Sequence, residues 1–147
     1  MFGSIVVGTD GSETANEAVR QATDLAKAVG AQVHLVSAFE PVGNQRLREE
    51  RQQVPDDMQW MVNEREDVEN TLNAAAEQTR EAGVKVETFA RQGDPADAIL
   101  DVAEENNSDL IIVGNKGMSG AKRFLLGSVP NKVSHHVPCS VMIIRTT

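Results

Sequence analysis

The feature of this sequence that most constrains its fold is the alternation of short apolar runs with longer amphipathic stretches. Runs such as residues 5–7 and 110–113 are apolar throughout rather than at every second position, which is typical of strands buried on both faces of a parallel sheet. The stretches between the runs repeat apolar residues every three or four positions, which indicates helices that cover the sheet. The pattern predicts one α/β domain over residues 1–147, with parallel strands at residues 5–7, 33–39, 84–90, 110–113 and 141–144.

Residues that begin and end helices are placed consistently with this alternation. Ser12 precedes a helical pattern, and Gly30 follows its last residue. Serine is typical of helix starts because its hydroxyl accepts hydrogen bonds from first-turn N–H groups, and glycine is typical of helix ends because it readily adopts the left-handed conformation there. Asp94 followed by Pro95 marks another helix start. The other expected segments are a mobile loop or frayed helix at residues 40–57, a long helix at residues 58–82, and a short helix capped by Ser128 that reaches about residue 136.

The charge balance and the single cysteine exclude several classes of protein. Fourteen Lys and Arg residues stand against 22 Asp and Glu, for a formal charge of -8, which is the wrong sign for binding a nucleic-acid backbone. No apolar run is long enough to span a membrane, and the first residues lack the basic region of a secretion signal. Cys139 has no partner for a disulfide. We therefore expect a cytoplasmic protein with no nucleic-acid and no membrane partner.

Two turns carry the residues with chemical potential. Residues 8–12 and residues 114–128 each follow an apolar strand, and open α/β sheets bind ligands at the carboxyl ends of their strands. Glycines allow close approach of an anion, and the N-terminus of the last helix favours negative charge. Lys116 and Ser128 add a charge and a hydroxyl, and Asp10 could accept from ribose or hold a divalent ion. Two of these residues also have an ordinary structural explanation: Ser128 as a cap, and Asp10 as a turn residue bonded to its own backbone.

The remaining polar residues point to structure rather than to catalysis. His135 and His136 end a predicted helix, where imidazoles can bond terminal carbonyls, and Cys139 fits a small buried hydrophobe. His34 lies within a strand and is expected to be packed or paired. The sequence contains no nucleophile elbow, no HExxH zinc motif and no P-loop. No catalytic residue is therefore assigned.

The chain resembles the universal stress protein family over essentially its whole length. The resemblance rests on the opening Ile-Val-Val-Gly-Thr-Asp-Gly-Ser at residues 5–12, on Gly93-Asp94-Pro95, and on Asp-Leu-Ile-Ile-Val-Gly at residues 109–114. It rests above all on the spacing Gly114-x2-Gly117-x9-Gly127-Ser128, which is similar to the pattern of the ATP-binding branch of that family.

The resemblance implies a flavodoxin-like sandwich of strand order 3-2-1-4-5 that binds an adenine nucleotide, ATP in that branch, between strands one and four. Mg²⁺ would accompany the nucleotide, with Asp10 as its protein ligand. By the family pattern, the nucleotide would be bound by Gly8, Thr9, Asp10, the backbone of Ser37 and Ala38, Val113, Gly114, Lys116, Gly117, Gly127, Ser128 and Val129.

One position departs from the pattern at the phosphate end. Many ATP-binding members have a hydroxyl residue after the Gly-Ser-Val, whereas this chain has Pro130, which offers neither a hydroxyl nor an N–H group. Contacts to a terminal phosphate would therefore be fewer. AMP or a cyclic nucleotide competes with ATP as the expected ligand.

The last strand resembles the strand through which family members commonly pair with a second subunit. Its edge would otherwise be exposed, so the resemblance implies a homodimer, with Val141, Ile143 and Arg145 at the interface. The expected function is a stress-response binding and signalling module occupied by an adenine nucleotide. A slow ATP hydrolase and a nucleotide-free interaction protein remain as alternatives.

Overall fold

The structure of the protein is a computed structural model that describes residues 2–39, 65–115 and 128–145. In this part of the chain, five strands form a single sheet in the order β3-β2-β1-β4-β5, and every neighbouring pair is parallel. The predicted fold and strand order are confirmed. The strands are β1 (Ser4–Gly8), β2 (Gln32–Phe39), β3 (Val86–Gln92), β4 (Leu110–Gly114) and β5 (Ser140–Ile144).

Helices cover both faces of the sheet. Those described are α1 (Glu13–Val29), α2 (Arg65–Glu81), α3 (Pro95–Glu105) and α4 (Ser128–His136). The helices α1 and α2 pack on one face, and α3 and α4 pack on the other. Neighbouring residues of a strand point to opposite faces, so the adjacent Ile5 and Val6 are both fully buried but belong to different cores. This double burial explains the unbroken apolar runs in the sequence.

The helix caps confirm the predicted helix ends. The Ser12 hydroxyl accepts a hydrogen bond from the Ala15 N–H at 3.2 Å. Gly30 adopts φ 76°, and its N–H donates to the Ala26 carbonyl at 2.8 Å. Asp94 caps α3 by accepting from the Asp97 N–H at 3.0 Å. A side-chain cap of this kind stabilises a helix by about 1 kcal/mol.

Several boundaries differ from the expectation. The third strand begins at Val86 rather than at residue 84, because the Val84 N–H still donates to the Thr79 carbonyl at the end of α2. It continues to Gln92, where it pairs with Phe39. Ser128 is the first residue of α4 rather than its cap. The predicted start of the long helix at residue 58 and the segment of residues 40–57 lie outside the described residues.

At the amino edge of the sheet, Asp109 ties β1 to β4. Its carboxylate accepts hydrogen bonds from the N–H groups of Gly3 and Ser4. Burial raises the pKa of Asp109, but these hydrogen bonds outweigh burial and leave the pKa below its usual value. No helix in the described ranges is long and apolar enough to cross a bilayer.

His34 confirms the expectation of a packed histidine. It lies in β2 with only 3% of its surface exposed, its Nδ1 is 3.4 Å from the Ser4 hydroxyl, and its ring contacts Phe89. Burial lowers the pKa of His34, partly opposed by the carboxylate of Glu87. The imidazole is therefore neutral near pH 7.

Candidate functional site

A cleft opens at the carboxyl edge of the sheet, where the order of strands reverses. From β1 the chain passes outward through β2 to β3, then returns to β4 on the other side of β1. This reversal separates the connections that leave neighbouring strands, so it is the position where open α/β sheets bind ligands. The cleft is lined by Gly8, Thr9, Asp10, Ala15, Val36, Ser37, Ala38, Pro95, Ile99, Val113, Gly114, Val129 and Pro130.

One wall of the cleft is the end of β2, which extends past the end of β1. Gly8 is level with Val36, and the Thr9 N–H donates to the Val36 carbonyl at 2.9 Å before the chain turns away. The Phe39 carbonyl bonds Gly93, on the β3 side. Backbone groups of successive strand residues point to alternate edges, so the N–H and carbonyl of Ala38 point the same way as those of Val36. Because β1 has already ended at this level, the N–H and carbonyl of Ala38 face the cleft.

The opposite wall is the end of β4. The Asn115 N–H donates to the Ile144 carbonyl of β5 at 2.8 Å, so the peptide groups of Gly114, one residue earlier, face β1. Val113 and Gly114 both line the cleft. The two walls thus lie on either side of the point where β1 ends.

Gly8 lets helix α3 pack closely beneath the cleft. A Cβ atom built on Gly8 would lie 2.4 Å from Cδ1 and 3.1 Å from Cγ1 of Ile99, closer than side-chain carbons approach in folded proteins. Ile99 is 3% exposed and fills this space from one turn inside α3. Close approach, rather than an unusual backbone conformation, therefore explains this glycine.

Thr9 and Asp10 shape the loop that leaves β1. The Thr9 hydroxyl accepts from the Gly11 N–H at 3.2 Å, and Oδ1 of Asp10 accepts from the Ser12 N–H at 2.8 Å. The second bond is an Asx turn, the structural explanation considered from the sequence. Oδ2 of Asp10 has no hydrogen-bond partner within residues 2–39, 65–115 and 128–145.

Helix α4 closes the side of the cleft next to α3. Val129 and Pro130 line the cleft, and the exposed Ser128 precedes them in the first turn. One turn further on, the ammonium group of Lys132 lies 3.2 Å from Oδ2 of Asp94 and 3.1 Å from Oδ1 of Asp97, both at the start of α3. These ion pairs join the two helices that border the cleft.

The structure brings together most of the residues selected from the sequence. Gly8, Thr9, Asp10, Ser37, Ala38, Val113, Gly114 and Val129 line the cleft, and Ser128 is adjacent to it. Lys116, Gly117 and Gly127 lie outside the described residues. Ala15, Val36, Pro95 and Ile99 also line the cleft and were not predicted from the sequence. Pro95 and Ile99 are one turn apart on a helix that starts soon after a strand, which is the signal that could have identified them.

The similarity of this chain to known proteins agrees with the fold. The model of the universal stress protein family matches residues 1–145. The chain belongs to the universal stress protein family. The universal stress protein Rv1636 of Mycobacterium tuberculosis is 35% identical over 147 residues, covering 99% of this chain and 98% of that protein. The universal stress protein YxiE of Bacillus subtilis is 35% identical over 150 residues, covering 99% of this chain and 100% of that protein.

Solved structures of family members include nucleotide complexes. A universal stress protein in complex with cAMP is 31% identical, with a TM-score of 0.71, over 99% of this chain and 98% of that chain. A universal stress protein from Archaeoglobus fulgidus in complex with dAMP is 26% identical, with a TM-score of 0.68, over 97% of this chain and 98% of that chain. This universal stress protein is therefore similar in sequence and fold to proteins that hold adenine nucleotides.

The predicted dimer strand forms one edge of the sheet. Among the described residues, β5 pairs only with β4. Val141 and Ile143 are partly buried against the α3 and α4 side, whereas Met142 is 38% exposed and Arg145 is exposed. An apolar strand with a free edge is suited to pairing with another strand.

Proposed function

We propose that this universal stress protein is a binding module for an adenine nucleotide, and that occupancy of the cleft is its signal in the stress response. The observation that carries the proposal is the backbone of Ala38, which presents an N–H donor and a carbonyl acceptor side by side to the cleft. Adenine offers the matching pair on its Watson–Crick edge, with an acceptor at N1 and a donor at the 6-amino group. A backbone pair of this kind selects adenine without any charged side chain.

The phosphate end favours a single phosphate over a triphosphate. The first turn of α4 offers N–H groups at Ser128 and Val129 together with the Ser128 hydroxyl, and a helix N-terminus attracts anions. Pro130, which lines the cleft, has no N–H group to add. The relatives solved with cAMP and dAMP hold compact monophosphates. We therefore propose AMP or cyclic AMP as the ligand ahead of ATP.

A Mg²⁺ ion would bind here only together with the nucleotide. The described part of the chain contains no cluster of three His, Cys, Asp or Glu residues that could hold a metal. Asp10 lines the cleft, and its carboxylate fits as one oxygen ligand beside phosphate oxygens, which is the ligand set that Mg²⁺ prefers. Asp10 would thus anchor an ion that ATP carries.

We propose that the activity of the cleft is binding rather than hydrolysis. Among the described residues that line the cleft, Asp10 is the one ionisable side chain. Phosphoryl transfer usually needs several positioned charges around the transferred group.

We also propose that the protein acts as a homodimer joined through β5.

The first test is to release and identify by mass spectrometry any ligand that the purified protein carries. Calorimetric titrations with AMP, cyclic AMP, ATP and IMP follow. IMP differs from AMP at the base edge, where a carbonyl replaces the 6-amino group and N1 becomes a donor. Facing the backbone of Ala38 it would oppose like groups, and we expect it to bind at least about tenfold more weakly than AMP. Equal affinities for AMP and IMP would contradict adenine recognition by this backbone.

A further inference from the structure

A lysine between two carboxylates borders the phosphate end of the cleft. Lys132 of α4 bonds Asp94 and Asp97 of α3, with all three side chains more than a third exposed. Hydrogen bonds to Asp97 and Asp94 hold the pKa of Lys132 above its usual value. Exposed ion pairs contribute little to stability, so helix packing alone is a weak explanation for this arrangement.

Position in the fold links these charges to the ligand. Asp94 immediately precedes Pro95, which lines the cleft. Lys132 is four residues after Ser128 and three after Val129, so it lies on the same side of α4, one turn beyond the phosphate-facing end. The two carboxylates therefore lie close to where a phosphate would bind, and they would repel it. The ammonium group lowers the net charge of the cluster from two negative charges to one.

We propose that Lys132, by partly neutralising Asp94 and Asp97, sets the affinity of the cleft according to the negative charge of the ligand. The inference rests on the proposed nucleotide function. Without the ammonium group, no positive charge would offset the repulsion between a bound phosphate and the carboxylates of Asp94 and Asp97. The loss of affinity would then grow with each negative charge that the ligand carries. A neutral nucleoside would not sense the change.

The experiment compares K132M with K85M in calorimetric titrations of adenosine, cyclic AMP and AMP. Both variants lose one positive charge, but the exposed Lys85 precedes β3 at the opposite edge of the sheet, where its carbonyl bonds Val33. At low salt we expect K132M to weaken AMP binding about three- to tenfold and cyclic AMP binding by less, with adenosine unchanged. The loss should shrink in about 0.5 M salt, since salt screens exposed charges.

A second substitution separates charge from packing. D97N removes one carboxylate and leaves the Asp94 cap of α3 in place. We expect K132M/D97N to recover most of the AMP affinity, because the cluster then carries the same net charge as in the parent protein.

Three results would overturn the inference. An equal loss of adenosine and AMP affinity in K132M would mean that the lysine only holds α4 in position. The same affinities in K132M as in K85M would mean that only the total charge of the protein matters. A parent protein that binds none of the three ligands would refute the proposed function itself, and the inference with it.

Discussion

Replacing Gly8 with alanine tests the close contact between β1 and helix α3. The new Cβ would lie 2.4 Å from the terminal Cδ1 of Ile99 and 3.1 Å from its Cγ1. Gly8 lies in a strand without a positive φ, so alanine meets no backbone strain there and the steric contact is the whole perturbation. Ile99 must move, and it lies between other buried residues of its core and the cleft.

The size of the effect follows from which atom is crowded. Overpacking a core costs about 1–3 kcal/mol. Cδ1 is the end of a rotatable side chain and can swing aside in part, so we expect Gly8→Ala to cost about 1–2 kcal/mol of unfolding free energy. For a domain of this size, each kcal/mol lowers the melting temperature by about 2–4 °C.

Urea unfolding followed by circular dichroism measures this loss in a double-mutant cycle. Ile99→Val removes Cδ1 and costs about 0.5–1.5 kcal/mol by itself. Because the crowded atom is then absent, Gly8→Ala should cost little in the Ile99→Val background, which gives a coupling energy of about 1 kcal/mol. Gly3→Ala is the matched control, since a Cβ there has no atom within 4 Å.

Two outcomes would refute the reasoning about Gly8. One is a Gly8→Ala protein as stable as the Gly3→Ala control. The other is an additive cycle, in which Gly8→Ala costs the same in the Ile99→Val background as in the parent protein. The cleft provides an independent readout, because a displaced Ile99 moves toward the ligand. We expect AMP affinity to fall in Gly8→Ala and to recover when Ile99→Val accompanies it.

The other predictions concern pH and assembly. Burial lowers the pKa of His34 in the folded protein, against the opposing charge of Glu87, so the unfolded chain takes up its proton first and stability should fall as pH drops below about 6.5. His34→Gln should flatten that fall when urea unfolding is measured at about pH 7 and pH 5, and an equally steep fall in this variant would contradict the role of His34. Ile143→Glu, and separately Met142→Lys on the free edge strand, should each convert a dimer to a monomer in light scattering. A monomeric parent, or an unchanged mass in both variants, would exclude pairing through β5.

Much of the fold was predictable because its signals are local. The unbroken apolar runs of β1 and β4 indicate burial on both faces, and that burial is observed. The caps at Ser12 and Asp94 involve residues three apart in the sequence, so spacing alone reveals them. The predicted start of β3 was wrong by two residues because the Val84 N–H donates to the preceding helix. The sequence does not show whether the N–H of an apolar residue between a helix and a strand bonds the one or the other.

The candidate site was also predictable only in part. Glycine and aspartate at the ends of apolar runs are enough to indicate one edge of the sheet, because parallel strands end together. The sequence does not show that Ile99 lies beneath Gly8, or that the Ala38 backbone is left facing the cleft.

Local patterns thus determined the order and type of the elements and the sheet edge where a ligand would bind. Only the tertiary structure decided which helix residues line the cleft and which charges border it. The physical reason is distance along the chain: Asp94 and Lys132 are 38 positions apart, and no periodicity links two helices until they pack against the same sheet.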